Sequence, residues 1–406
     1  MLIYLIFGGD LHGSGGWAKY IRELAEFLVS RGYKVKIVYK FGKLSLNGVK
    51  DKQPNKTKIM PRRASLIYLV NHFPNPLTVL LGIIRLVREL RHDRGSPKVI
   101  HAHDLSSSFL ITFFIWKLFG VPHIVQIHGF PLREWKIKLL LTKSSWCKLL
   151  WFLTKILHMI FLKLAINSSS MILVNNNEIR SFYNACGVPL HKLEVMPSAI
   201  NLQEFEKRLL PREEARKQLG LPESDIICIG YIGGLKPEKN LKILINAFRE
   251  FISYIDKKAR LIIIGNGPLR PELEKQVKEL GIDDYIYFLG HIPGAYRLLK
   301  GIDIFVLPSL SEGSPFSLIE AMAAGKAIIA SNIPAIEEIV EDGKEALLFD
   351  PRNTKQLVNL MSMLYSKPEL REKLGERARE KAKQYDTNVV FSKILRIYKR
   401  TIVMHD

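Results

Sequence analysis

Short apolar runs separated by helix-length stretches of mixed polarity set the rhythm of this chain. In the C-terminal half the runs are IICIGYIG, LIIIGNG, YIYFLG, IFVLP, AIIAS and ALLF. Unbroken apolar runs of this kind suit strands covered on both faces, so the pattern predicts a parallel βαβ sheet. The N-terminal half carries a looser version, with LIYLIF, KVKIVY, KVIHAH, HIVQIHG, MILVN and LEVMP as strand candidates. The fold class that follows is α/β, built from two similar domains. The polar connector from Asn201 to Pro211 puts the boundary near 205, giving domains over 1–205 and 206–406. A last helical segment, about 389–400, reads as a separate helix that can pack back on the first domain.

Composition narrows the classes. With 406 residues and 47% hydrophobic content, the chain can bury two sizeable cores. Cys147, Cys186 and Cys228 lie far apart without metal-type spacing, which suits a reducing compartment and excludes a disulfide framework. The opening MLIYLIFGGD lacks a basic leader and reads as a buried first strand rather than a signal peptide, so the expected location is cytoplasmic.

Charge is uneven. Residues 1–210 hold 30 Lys and Arg against 12 Asp and Glu, whereas residues 211–406 hold 30 against 27. A basic first half suggests an anionic partner: a membrane leaflet at the inner face of the membrane, a phosphorylated acceptor or nucleic acid. No nucleic-acid recognition motif accompanies it, so nucleic acid is not the expected partner. The apolar segment from Cys147 to Leu164 is interrupted by Lys155, His158 and Lys163, too often for a membrane span. On a helical projection Lys148, Lys155 and Lys163 share one sector, with Trp151, Phe152 and Phe161 elsewhere. That pattern fits peripheral contact with an anionic membrane surface, and equally a core helix with a solvated basic stripe.

Candidate chemistry concentrates in IDIFVLPSLSEGSPFSLIEAMAAGKAIIAS, which reads as strand, loop, helix and strand. Ser314 is the expected N-cap and Pro315 the first helical residue, with Gly325 closing the helix. The amides of Phe316, Ser317 and Leu318 would then lack helical partners and, with the helix dipole, form an anion site fit for a diphosphate. Gly313 allows close backbone approach. Glu312 precedes the helix and is placed to reach a sugar. Glu320 lies off the apolar stripe of Leu318, Ile319, Met322 and Ala323, where it can accept hydrogen bonds from ribose hydroxyls. A helix-dipole partner and a solvated helix glutamate are the plainer readings of the two. Gly15 and Gly16, before the helix pattern WAKYIRELAEFLVSRG, make a phosphate-type loop or a tight turn. Gly265 and Gly267 in IIIGNGP sit at a strand end, as a nucleotide approach or a turn. His101 and His103 alternate on a strand with no third ligand in view, so packing is expected there and no metal.

EGSPFSLIEAMAAG resembles the paired-glutamate signature of retaining glycosyltransferases of the GT-B type, family four. HGSGGWAKYIRELAEFLVSRGYKVKIV, VIHAHD, IVQIHGF, GGLKPEKNLKILINAF and LIIIGNGPLRPELE extend the likeness along most of the chain. The resemblance implies two Rossmann-like domains facing each other across a cleft. A nucleotide-sugar donor would be held mainly by the second domain and a glycan or lipid-linked acceptor mainly by the first, in polysaccharide or glycolipid synthesis. It implies a hexosyl-type transferase needing no cofactor and no metal, which agrees with the absence of an Asp-x-Asp pair. By motif match Glu312 contacts the sugar, Glu320 the ribose, and His128 stands beside the reacting sugar. The donor set would be Gly15, Gly16, Gly233, Lys239, Gly265, Gly267, Gly313, Ser314, Pro315, Phe316, Ser317, Leu318 and Glu320. Where relatives read GRL before a lysine, this chain has Gly233, Gly234 and Leu235 before Lys239, so one arginine is missing and Lys236 is its nearest substitute. An epimerase of the same fold and an inactive, membrane-associated binding protein are the alternatives.

Overall fold

The computed structural model describes residues 1–7, 16–40, 64–69, short stretches between 83 and 91, 98–105, 107–128, 145–221, 226–254 and 258–404. They form two compact units. The first takes in Met1–Leu132, Thr142–Ala199 and Thr387–Asp406, and the second Arg133–Leu141 and Ile200–Asp386.

Among the described residues the first unit has seven strands: β1 (Leu2–Phe7), β2 (Lys34–Lys40), β3 (Ala64–Leu69), β4 (Lys98–Ala102), β5 (His123–Ile127), β6 (Met171–Val174) and β7 (Leu193–Val195). They pair in the order β3-β2-β1-β4-β5-β6-β7, parallel throughout. Helices α1 (Gly16–Ser30), α2 (Ser107–Phe119) and α3 (Ser145–Ser168) belong to this unit. Six of the strands coincide with the apolar runs read from sequence. The seventh, β3, is an edge strand paired only with β2. Every residue of β1 is buried, as expected of a strand covered on both faces. Leu2, Tyr4 and Ile6 point into a core with Val38, Ile100, Ile111 and Ile115. A second cluster gathers Phe109, Val125, Ile127, Leu162 and Ile172.

The second unit has six described strands: β8 (Ile227–Ile232), β9 (Ala259–Ile264), β10 (Ile286–Gly290), β11 (Ile304–Leu307), β12 (Ala327–Ser331) and β13 (Leu347–Phe349). Their order is β10-β9-β8-β11-β12-β13, again parallel. Both sheets therefore reverse direction once, between β1 and β4 and between β8 and β11. Such switch points leave a crevice at the carboxyl ends of the strands, where ligands of doubly wound folds bind. The helices used below are α4 (Leu241–Ile252), α5 (Phe316–Ala323) and α6 (Pro368–Ala382) in this unit.

The division falls at Ile200 rather than near 205. The connector is tied to the second unit: the Ile200 amide donates to the Tyr385 carbonyl at 3.0 Å, and the Leu202 amide to the Asp386 carboxylate at 3.1 Å. After Asp386 the chain returns to the first unit as α7 (Thr387–Val403). Phe391 of α7 packs edge-on against Tyr20 at 5.3 Å, and the Tyr398 hydroxyl shares a 2.7 Å hydrogen bond with His101 Nδ1.

At the amino ends of the second sheet, Asp303 accepts from Arg212 at 2.7 Å, Arg216 at 3.3 Å and the Cys228 amide at 2.8 Å. Lys326 enters the same region and donates to the Ile302 carbonyl at 3.1 Å. Burial lowers its pKa from the ordinary 10.5 to about 8, against the attraction of Asp303. The folded value lies below the unfolded one, so the unfolded chain binds the extra proton and stability rises with pH from about 8 to 10.5. Replacing Lys326 with Met removes that charge from a buried site. Thermal melts should show a gain of roughly 1–2 kcal/mol at pH 7, after allowing for the lost hydrogen bond, and a flatter profile above pH 8. A less stable variant at pH 7 would contradict this.

Candidate active site

The carboxyl ends of β8 and β11 flank the switch point of the second sheet, and the loops leaving them are clasped together. After β8 the chain runs through Gly233, Gly234 and Leu235 to a short 3-10 turn, Pro237–Lys239. After β11 it runs through Ser309 and Glu312 to α5. The Leu310 amide donates to the Glu238 carbonyl at 2.8 Å. Lys239 Nζ donates to Glu312 Oε1 at 2.6 Å, and the Ser309 hydroxyl donates to the same oxygen at 2.7 Å. The Glu312 side chain is 7% exposed and that of Lys239 21%, so the pair is sheltered from screening while the lysine still reaches solvent. Asn240 holds the turn in place from a left-handed conformation (φ 54°) and donates to the Pro351 carbonyl at 2.9 Å before α4 begins.

The start of α5 differs from the sequence expectation. Pro315, with φ −72° and ψ 112°, occupies the N-cap, and the helix opens at Phe316; no side chain caps it. The Leu318 and Ile319 amides both turn back to the Pro315 carbonyl, at 3.2 and 3.3 Å. Leu318 is therefore removed from the set of first-turn amides that the sequence leaves without an acceptor in the helix. The displacement follows from ψ at Pro315, which is extended and cannot serve a first helical position. Gly313 and Ser314 lie in the loop just before, with Ser314 buried. At the other end Gly325 takes the left-handed conformation expected of a helix terminator (φ 65°).

Glu320 is buried at 7% exposure, which sets aside the solvated-glutamate reading. A carboxylate withdrawn from water in a helix is held there by polar partners rather than by hydration.

The glycines of the β8 and β9 loops have reasons inside the protein. A Cβ on Gly265, whose φ is 146°, would stand 1.7 Å from the Gly233 carbonyl oxygen. One on Gly267 would stand 2.3 Å from the Leu235 carbonyl oxygen, and one on Gly233 would meet the Tyr231 hydroxyl at 2.4 Å. The two loops run backbone against backbone, joined by the Gly233 amide to Ile264 carbonyl bond (3.0 Å) and the Leu235 amide to Asn266 carbonyl bond (3.1 Å). Tyr231 folds back to donate its hydroxyl to the Gly234 carbonyl at 2.9 Å. Burial, with Glu312 and Glu238 nearby, raises its pKa well above 10, so the phenol keeps the proton it donates. Gly234 itself is open: an added Cβ would find its nearest neighbour, Lys236, at 3.8 Å. The missing arginine is not excluded by space.

In the first unit, Gly16 opens α1, and Gly15 lies outside the described residues. His128 follows β5 and is buried, stacked on His103 with ring centroids 5.5 Å apart. His128 Nε2 and His103 Nδ1 share a hydrogen bond of 3.2 Å, and Trp17 and Tyr20 lie at 5.5 and 5.1 Å. Burial lowers the His128 pKa to about 3, and that of His101 to about 3 with help from His128. His128 is thus a neutral imidazole, able to exchange hydrogen bonds but carrying no positive charge. The sequence showed no third group near His101 and His103; the structure brings His128 to them because β4 and β5 are adjacent. Among the described residues no group of three or more His, Cys, Asp or Glu side chains could hold a metal ion.

Of the residues singled out from sequence, the second unit brings Lys239 and Glu312 into direct contact and packs Gly233 against Gly265. Sequence reasoning missed Ser309, Glu238 and Tyr231. Ser309 stands three residues before Glu312 in a loop, a spacing at which a hydroxyl commonly turns back to a neighbour. Nothing local marked Tyr231.

Two parallel α/β units wound in this way, with a sheltered lysine–carboxylate pair and a helix start at one switch point, define a two-domain doubly wound architecture with a polar site in its second unit. The family model described as Glycosyltransferase Family 4 matches residues 14–204, and that described as Glycosyl transferases group 1 matches residues 211–381. The chain belongs to the group 1 glycosyltransferases of GT-B fold, and it is a glycosyltransferase. It is 23% identical to an alpha-D-kanosaminyltransferase of Streptomyces kanamyceticus, over 74% of this chain and 75% of that protein. It is 28% identical to an N,N'-diacetylbacillosaminyl-diphospho-undecaprenol alpha-1,3-N-acetylgalactosaminyltransferase of Campylobacter jejuni, over 59% of this chain and 63% of that protein. Its fold matches Anabaena HepE, solved in complex with UDP, with a TM-score of 0.76 at 16% identity, covering 98% of this chain and all of that one (100%).

Proposed function

We propose that the chain moves a sugar from a nucleoside-diphosphate sugar to a hydroxyl of a lipid-linked or glycan acceptor, with retention of anomeric configuration and without a metal. The observation that carries this reading is the Lys239–Glu312–Ser309 cluster beside the start of α5, at the switch point of the second sheet. Lys239 and the start of α5 would take the diphosphate, Glu312 the sugar hydroxyls and Glu320 the ribose. The bond from C1 of the sugar to the diphosphate oxygen breaks as the acceptor oxygen bonds to C1. The acceptor proton passes to the departing phosphate oxygen, and positive charge at C1 is borne in an oxocarbenium-like state. His128, neutral and buried, would position the sugar by hydrogen bonding. The UDP bound to HepE and the diphospho-undecaprenol in the name of the Campylobacter relative support a nucleotide donor and a lipid-linked acceptor.

UDP, GDP and ADP sugars, supplied with a membrane lipid extract, should include one donor from which the protein releases the nucleoside diphosphate. Glu320→Ala should raise KM for that donor about tenfold and change kcat little, since a ribose contact serves ground and transition states alike. Release from no donor, conversion of the donor without release, or an unchanged KM in Glu320→Ala would overturn the assignment.

A further inference from the structure

The outward face of α3 is apolar. Phe152, Leu153, Ile156, Leu157, Met159 and Ile160 are all exposed, Phe152 at 55% and Leu157 at 52%. Of the two readings the sequence left open for this helix, a membrane-facing surface and a core helix with only a basic stripe in solvent, the exposed apolar side chains favour the first. The inner face is already satisfied: Leu162 and Ala165 are buried in a core with Phe109 and Ile172, and His158 shares a 2.9 Å hydrogen bond with the Tyr183 hydroxyl. The fold therefore does not use the outer apolar side chains. A stretch this apolar is uncommon on a protein surface without a partner.

Its charges say which partner. Lys155 and Lys163 are exposed on the same helix. Neither α3 nor its packing neighbour α2 contains an acidic residue, while α2 adds exposed Lys117 and the exposed side chains Phe114, Leu118 and Phe119. A second copy docked face to face would set lysines against lysines with no acid on these helices to pair them. An anionic bilayer satisfies both features, taking the aromatic and aliphatic side chains at the acyl boundary and the ammonium groups among its headgroups. No helix among the described residues is long and apolar enough to cross a membrane, so the contact is one of lying on the surface.

We infer that the exposed face of α3, with α2 beside it, is a docking surface for an anionic lipid bilayer. The inference goes beyond the donor-site reading and does not depend on it, and its test needs no donor. The full-length protein is sedimented with phosphatidylcholine vesicles, with and without phosphatidylglycerol, at low and high salt. Wild type should bind the anionic vesicles, bind neutral ones far less, and be weakened by salt at about 0.5 M, where screening acts within a few ångströms. Lys155→Gln with Lys163→Gln should weaken partitioning roughly twenty-five-fold, about fivefold for each lysine. Leu153→Glu with Leu157→Glu should abolish it while thermal melts stay unchanged, since both side chains face solvent; should that variant fail to fold, the lysine variant decides. Absence of binding by wild type, equal binding to neutral vesicles, or undiminished binding by the variants would overturn the assignment. So would a concentration-dependent dimer, lost in the glutamate variant, without vesicle binding.

Discussion

Lys239→Ala should lower kcat for sugar transfer about a hundredfold, the usual effect of losing one donor aimed at charge that develops in the transition state. Lys239 comes from a short turn fixed by Asn240, and its ammonium is already desolvated to 21% exposure beside Glu312. An ion so placed acts through a lower effective dielectric than a surface lysine and needs little reorganisation when the diphosphate departs. Lys239 also neutralises Glu312, so the loss has two sources. Single-turnover rates for Lys239→Ala, Glu312→Gln and the double variant separate them. If the lysine only neutralises Glu312, the double variant recovers the activity of Glu312→Gln. If it serves the diphosphate, the double variant falls below both. Wild-type kcat in Lys239→Ala would remove the residue from the mechanism.

Gly265→Ala is expected to be the most damaging small substitution in the second unit. The residue sits at φ 146°, outside the range L side chains adopt, and the new Cβ would stand 1.7 Å from the Gly233 carbonyl oxygen. Neither group can yield without separating two loops joined by backbone hydrogen bonds on both sides of the contact. Backbone strain and overpacking together should cost at least about 3 kcal/mol, a fall in melting temperature on the order of 10 °C for a domain of this size. Calorimetry checks it, and a melt within about 2 °C of wild type would show that the loops part readily. Transfer activity should fall with it, because the same loops present Lys239.

The parallel sheets were readable because strands buried on both faces leave unbroken apolar runs, and loops between them carry Gly and Pro. Edge strand β3, paired only with β2, was missed. Glu312 and Glu320 were visible as a spaced pair, but the reasons for the glycines were not. Gly265 and Gly267 serve contacts between loops more than thirty residues apart, which no local pattern records, and Gly233 makes room for the folded-back Tyr231 hydroxyl. The position of the α5 cap turned on a single ψ angle at Pro315. For α3 the sequence left a membrane-facing helix and a core helix with a solvated basic stripe equally open, because only packing tells which side of so apolar a helix is covered.

The pairing of Ile200 with Asp386 places the two ends of the second unit side by side. In the grammar of chain connectivity this makes the stretch from Ile200 to Asp386 an insertion, with the first unit as its host and α7 as the host's resumed sequence. A cut at 200 and 386 would release a continuous piece with adjoining ends, whereas joining what remains of the host means splicing Ala199 to Thr387. Exchange of that stretch between such chains would accordingly need two junctions, and a single crossover within it would leave α7 to match a host it did not come from.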